Sequence, residues 1–272
     1  MKVTRLIVGG FGLAALYLIG TDVIQANNDV ESDKNATEDS ELTDEDILAT
    51  VELEDFAYRS AVHNTFYPTL DDVEEKLGVH FDKKPSYKFV LHPDYDASAQ
   101  YDPKTETIEF FQFSNETMEN RDRDIHLRRS NGPFLLNDLD SAIRHESGHH
   151  YIKRRAKALN GNKWLREVKD LPLLYRIIDE GISLYFETAT SSGNSTIAPL
   201  TEEQSHDLSN VDSLKHSQYT YYSLGEALMN PILQRFGAKA VVDYVVLFPP
   251  IGEELDNALL YREKMVSELS VK

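Results

Sequence analysis

The string Arg144-His145-Glu146-Ser147-Gly148-His149-His150 has the residue types and the spacing of a metal site. On a helix, residues four apart are offset by about 40° around the axis, so His145 and His149 would project from one face about one turn apart. That spacing lets two imidazoles reach one tetrahedral zinc ion. Glu146 stands beside them and is placed to take a proton from a water that the metal activates. His150 lies about 140° from His145 around the helix and is expected to stay out of the site. The bland alternative is a pair of solvent-facing histidines on a surface helix. Against it stand the apolar flanks Leu135, Leu136, Leu139 and Ile143 on one side and Tyr151 and Ile152 on the other. Gly148 costs a helix interior about 1 kcal/mol relative to Ala, which makes sense if another segment must approach closely there.

A catalytic zinc ion needs three protein ligands and an open position. The chain has no cysteine, so the third ligand must be His, Asp or Glu. The best source is Ile178-Asp179-Glu180-Gly181-Ile182-Ser183-Leu184-Tyr185-Phe186-Glu187, an apolar helical pattern interrupted by acids that would be costly if buried unpaired. Gly181 and Ser183 are small enough to let this helix pack closely on the first. Glu180 beside them is the preferred ligand, with Asp179 and Glu187 as competitors. Glu187 falls two turns beyond Glu180 on nearly the same face, where it could instead orient a ligand histidine.

His145-Glu146-Ser147-Gly148-His149 followed by Glu180-Gly181-x-Ser183-x-Tyr185 resembles the gluzincin metallopeptidases, the broad group that includes thermolysin and aminopeptidase N. The resemblance implies that His145, His149 and Glu180 bind one zinc ion (Zn2+) per chain and that Glu146 is the general acid and base. It also implies an oxyanion-binding tyrosine on a later helix. Tyr222-Ser223-Leu224-Gly225 has the expected form, with Tyr221 adjacent. The segment from Ala99 to Phe111 resembles the edge strand along which such enzymes lay out an extended substrate. The likeness covers roughly residues 85–240. Thirty residues separate His149 from Glu180, more than in the best-known members. The G-x-M-E-N motif that reads a free N-terminus in aminopeptidase N is absent, which favours an endopeptidase. No His-x-x-Gly-x-x-His extension follows His149, which excludes a metzincin.

The elements that must hold these residues can be read from periodicity. Phe56, Val62, Phe66, Leu70, Val73 and Leu77 recur at helical spacing. Tyr87 to Leu91 is β-prone, and Ala99 to Phe111 reads as a hairpin turning at Asp102-Pro103-Lys104. Residues 114–134 read as a polar loop. A helix is expected from Asn137 or Asp138, as N-cap, to about Leu159. The basic run Lys153, Arg154, Arg155 and Lys157 falls near its end, where cations complement the helix dipole. A second helix runs from Pro172 to about Thr188, and a third from Ser217 to Phe236, ended by Gly237. Two short helices follow, broken by Pro249, Pro250 and Gly252. A small sheet followed by helices gives an α+β class, zincin-like by the resemblance.

With 272 residues, 41% of them hydrophobic, the chain can build one large core. Residues 1–26 read as a signal peptide or an N-terminal membrane anchor: Lys2 and Arg5 precede an uncharged run from Leu6 to Gly20. Residues 27–49 read as an acidic disordered tether, and 50–272 as the metallopeptidase domain. The formal net charge is −18, with twelve acids against one base (Lys34) over residues 28–55. That balance does not suit a nucleic-acid partner. The expectation is an exported zinc endopeptidase acting on a peptide or protein substrate, either secreted or periplasmic, or anchored through residues 6–20. The alternatives are a non-catalytic zincin-like binding domain and a zinc hydrolase of a non-protein substrate. The intact Glu146 disfavours the binding domain.

Overall fold

The apolar stripe of the first helix becomes one wall of the core. The computed structural model describes residues 44–91, 99–112, 139–159, 172–190, 200–214 and 218–271. The segments 1–26, 114–134 and the expected caps Asn137 and Asp138 lie outside them. The chain divides into two compact units, residues 1–50 and 51–272. Of the first, only the opening turns of helix α1 (Asp44–Leu77) are described, within the acidic tract. Among the described residues no helix is long and apolar enough to cross a membrane.

In the second unit, Val62, Phe66, Leu70 and Val73 of α1 are fully buried. Phe56, counted in the same stripe from sequence, is 71% exposed, so the buried face begins a turn later. A three-stranded mixed sheet follows: β1 (Ser86–Leu91), β2 (Ala99–Asp102) and β3 (Thr107–Gln112), in the order β1-β3-β2. β1 runs parallel to β3 with Tyr87 opposite Ile108, and β2 runs antiparallel to β3 with Tyr101 opposite Ile108. Period-two alternation sorts the faces. Tyr87, Ile108, Phe110 and Ala99 point to the core, where the Phe66 ring lies 4.7 Å from Tyr87 and 6.1 Å from Phe110. The other face is polar: Glu109 pairs with Lys88 at 2.7 Å and accepts from Gln100 at 3.2 Å. One covered and one solvated face is the usual state of a sheet with antiparallel pairing. The hairpin is as expected. Its turn closes on Glu106 at φ 57°, a left-handed position held by a non-glycine residue.

The rest is helical: α2 (Leu139–Ala158), α3 (Leu173–Thr190), α4 (Glu202–Leu208), a 3-10 turn (Val211–Ser213), α5 (Gln218–Phe236), α6 (Ala238–Leu247), α7 (Glu253–Asp256) and α8 (Ala258–Leu269). The protein is therefore α+β, mostly helical with a small mixed sheet. Three helices follow α5 rather than two, because the Asn257 side chain accepts from the Leu259 and Leu260 N–H groups and caps a separate α8. α4 is additional to the helices expected from periodicity, and Thr201 and Gln204 cap it reciprocally.

α3 packs between α2 and α5. The basic end of α2 is tied down by ion pairs. Arg154 meets Asp82 and Glu106, Lys157 meets Glu106, and Arg155 meets Asp243 of α6 at 2.6 Å. Those pairs clamp α2 to the hairpin turn and to α6, and thereby fix where its histidines point.

Candidate metal centre

Close helix contacts set the site. Gly148 of α2 faces Ser183 of α3, and a Cβ added at Gly148 would lie 2.7 Å from the Ser183 Cα. Gly181 does not face α2, as the sequence suggested, but α5. A Cβ there would overlap the Gly225 carbonyl oxygen, and one at Gly225 would sit 2.5 Å from the Ile177 carbonyl oxygen. Small residues on both sides of α3 let three backbones nearly touch. Glu180 is thereby brought over the histidines of α2, and Tyr222 of α5 swings over His145.

His145, His149 and Glu180 form a group that could hold a metal ion, with one ligand atom from each all within 4.8 Å of one another. Glu180 Oε2 lies 3.2 Å from His145 Nε2 and 3.7 Å from His149 Nε2. A tetrahedral ion with bonds of about 2.0–2.1 Å holds its ligand atoms about 3.4 Å apart, so the spacing fits. Glu180 Oε2 is also buried without a hydrogen-bond partner of sound geometry. Such an atom is costly unless something satisfies it, and a cation facing two imidazole nitrogens would do so. Nitrogen and oxygen donors without sulfur suit a borderline divalent ion.

Charges within the site are closely coupled. Burial opposes a proton on His145, but Glu180 and Glu187 outweigh it and push the pKa up to about 9. His149 is likewise opposed by burial and driven by Asp179 and Glu180 up to about 10. Burial acts to raise the Glu180 and Glu187 carboxyls, yet the imidazoles hold both below the usual range. A bound dication would replace these imidazolium protons as the carboxylates' counter-charge. Glu146 goes the other way: desolvation raises its pKa, partly countered by the two imidazoles and the Tyr101 backbone N–H.

Asp179 is the residue whose place sequence reasoning missed. Its Oδ2 lies 3.0 Å from His149 Nδ1, on the far side of the ring from Glu180, so it backs one of the three converging residues and does not join them. Glu187 sits 3.2 Å from His145 Nδ1 and also accepts from the Ser141 hydroxyl. Tyr222 stands edge-on to His145, ring centres 5.7 Å apart. Tyr221 turns away to Arg176, which stands 5.9 Å over its ring. His150 is excluded as expected: its Nε2–H donates to the Lys83 carbonyl at 2.7 Å, and its Nδ1 accepts from Tyr101 at 3.2 Å.

No family model matches the chain, and neither a curated protein nor a solved structure matches it. Function therefore has to be inferred from the chemistry of the site.

Proposed function

We propose that the chain is a zinc-dependent metallopeptidase with a zincin-like fold, resembling the gluzincins, that hydrolyses internal peptide bonds outside the cytoplasm. The observation that carries this reading is the convergence of two imidazoles on the Glu180 Oε2 atom, with Glu146 buried beside them. His145, His149 and Glu180 hold one zinc ion. When bound, zinc supplies Lewis acidity, which makes a water molecule a nucleophile near neutral pH. Glu146 accepts the proton of that water and returns it to the leaving amine. Its desolvated carboxyl binds a proton more readily than an exposed one, which suits that exchange. The Tyr222 hydroxyl donates to the oxyanion as charge develops on the scissile carbonyl. β2 is an edge strand running beside Glu146, and an extended peptide adds to such an edge by main-chain hydrogen bonds. Residues 1–26 support export, whether the segment is removed or kept as an anchor.

Elemental analysis of the purified full chain is expected to find one zinc per chain, lost in His145→Ala, His149→Ala and Glu180→Ala. Absence of stoichiometric metal from the parent would refute the reading. Retention in Glu180→Ala with loss in Glu187→Ala would move the third ligand. Tyr222→Phe is expected to lower kcat by about 10²–10³ with little change in KM. If Tyr221→Phe shows that loss and Tyr222→Phe does not, the oxyanion role belongs to Tyr221.

A further inference from the structure

On α2, Glu146 follows His145 as His150 follows His149, one turn later. His145 and His149 share the face that meets Glu180. Glu146 and His150 share the next face, about 100° around the axis. That second face meets β2 through one residue. Tyr101 donates its backbone N–H to the Glu146 carboxylate, and its side chain stands against His150, with the hydroxyl 3.2 Å from Nδ1 and the ring centres 5.5 Å apart. We propose that Tyr101 and His150 are positioning residues for Glu146: the hydrogen bond between their side chains holds β2 against α2 so that the Tyr101 N–H aims the carboxyl. The inference rests on the reading of Glu146 as the proton carrier given above.

The direction of each hydrogen bond is fixed. A carbonyl oxygen can only accept, so His150 carries its proton on Nε2 and donates to Lys83 at 2.7 Å. In the neutral ring Nδ1 is then an acceptor, and the Tyr101 hydroxyl has to donate. His150 is fully buried, with the Phe81 ring 5.8 Å away, so its place is set by the segment before β1 and not by the strand it holds. β2 needs such a hold, because this four-residue strand has β3 on one side and no strand on the other. Glu146 needs it too. A glutamate side chain has three rotatable bonds, and a misplacement of about 1 Å at a reacting group can cost about 10²-fold in rate. If the pair served packing alone, apolar side chains of like shape would do as well, since they leave no buried polar atom to satisfy.

The test combines two readouts on the full chain: steady-state hydrolysis of casein, an unstructured protein, by the zinc-loaded form, and hydrogen exchange of the residue-101 amide followed by NMR. Tyr101→Phe removes the donor to His150 and keeps the ring. It is expected to lower kcat about tenfold or more, with KM within about threefold and zinc content unchanged, and to speed exchange of the residue-101 amide. His150→Leu should match it. His150→Gln keeps one donor for Lys83 and one acceptor for Tyr101, and is expected to retain most of kcat and the slow exchange. In a Glu146→Gln background, Tyr101→Phe should change the residual turnover by less than about twofold, because aiming residue 146 matters only while it carries protons. A kcat for Tyr101→Phe within about twofold of the parent would overturn the proposal. So would an equal loss in the Glu146→Gln background, which would mean a general loosening of the fold, and so would a residue-101 amide that exchanges as fast in the parent as in Tyr101→Phe. A parent that hydrolyses no peptide bond would instead overturn the metallopeptidase reading, and the exchange measurement would still decide whether the Tyr101–His150 pair holds the strand to Glu146.

Discussion

Glu146→Gln is expected to keep zinc and fold while losing at least about 10³-fold in turnover, since general acid–base catalysis is worth roughly 10²–10⁴ and here one carboxyl serves both proton transfers. The amide is close in shape to the carboxyl, so α2 and the imidazoles should not move. Glu146 is not among the three converging ligands, which is why metal content should be unchanged. Losing a carboxyl whose pKa burial has raised removes a desolvation cost, so stability should hold or rise slightly. The measurement is a peptide-bond hydrolysis assay on an unstructured protein beside zinc analysis of the same sample. Hydrolysis at the parent rate would sink the mechanism. Lost activity together with lost zinc would mean that Glu146 belongs to the ligand set.

The second large effect lies away from the chemistry. Gly181→Ala is expected to cost about 3 kcal/mol or more, because its new methyl group would meet the Gly225 carbonyl and not a side chain that can swing aside. In a domain of this size that corresponds to a fall in Tm of about 10 °C. Zinc should bind more weakly too, since Glu180 is the neighbouring residue on the displaced helix. Gly225→Ala presses on the same contact, so the double variant should cost much less than the sum of the two. Thermal melting of the three variants checks this. A Tm for Gly181→Ala within 2 °C or so of the parent would show that the helices can part at little cost.

Much of this site is visible in the chain before any coordinates. A four-residue spacing dictates that His145 and His149 share a helix face, and they do. The need for a third donor without cysteine pointed to Glu180, and an acid in an apolar helix marked it. Partners across helices were harder to read. Asp179 could be seen as an acid near the site, but one residue of register, about 100° of rotation, separates a carboxylate facing Nε2 of His149 from one facing its Nδ1. Gly181 faces α5, whereas the sequence places it as readily against α2. Periodicity says that a small residue lies on a packed face and cannot say which neighbour covers it. In the fold, the strands and the hairpin followed from alternation and turn residues. Glu106 at a left-handed position did not, because its ion pairs with Lys83, Arg154 and Lys157 come from distant residues. α4 has no apolar stripe to mark it in the sequence, although its Thr201-x-x-Gln204 capping box is legible there.

The close contacts of α3 also bear on how such a protein can diverge. Sliding α3 by one residue would mean a shift of 1.5 Å and a turn of 100°, which drives backbone into backbone at Ser183 or at Gly181. Selection for folding alone therefore holds Gly148, Gly181 and Gly225 in place, whatever becomes of the reaction. On the mechanism proposed above, selection on Glu146 would come from hydrolysis. A descendant that gave up catalysis would be expected to change Glu146 early and the three glycines late. In related chains, the glycines should trace the scaffold, and the residue after the first histidine should separate enzymes from proteins that have kept only the metal.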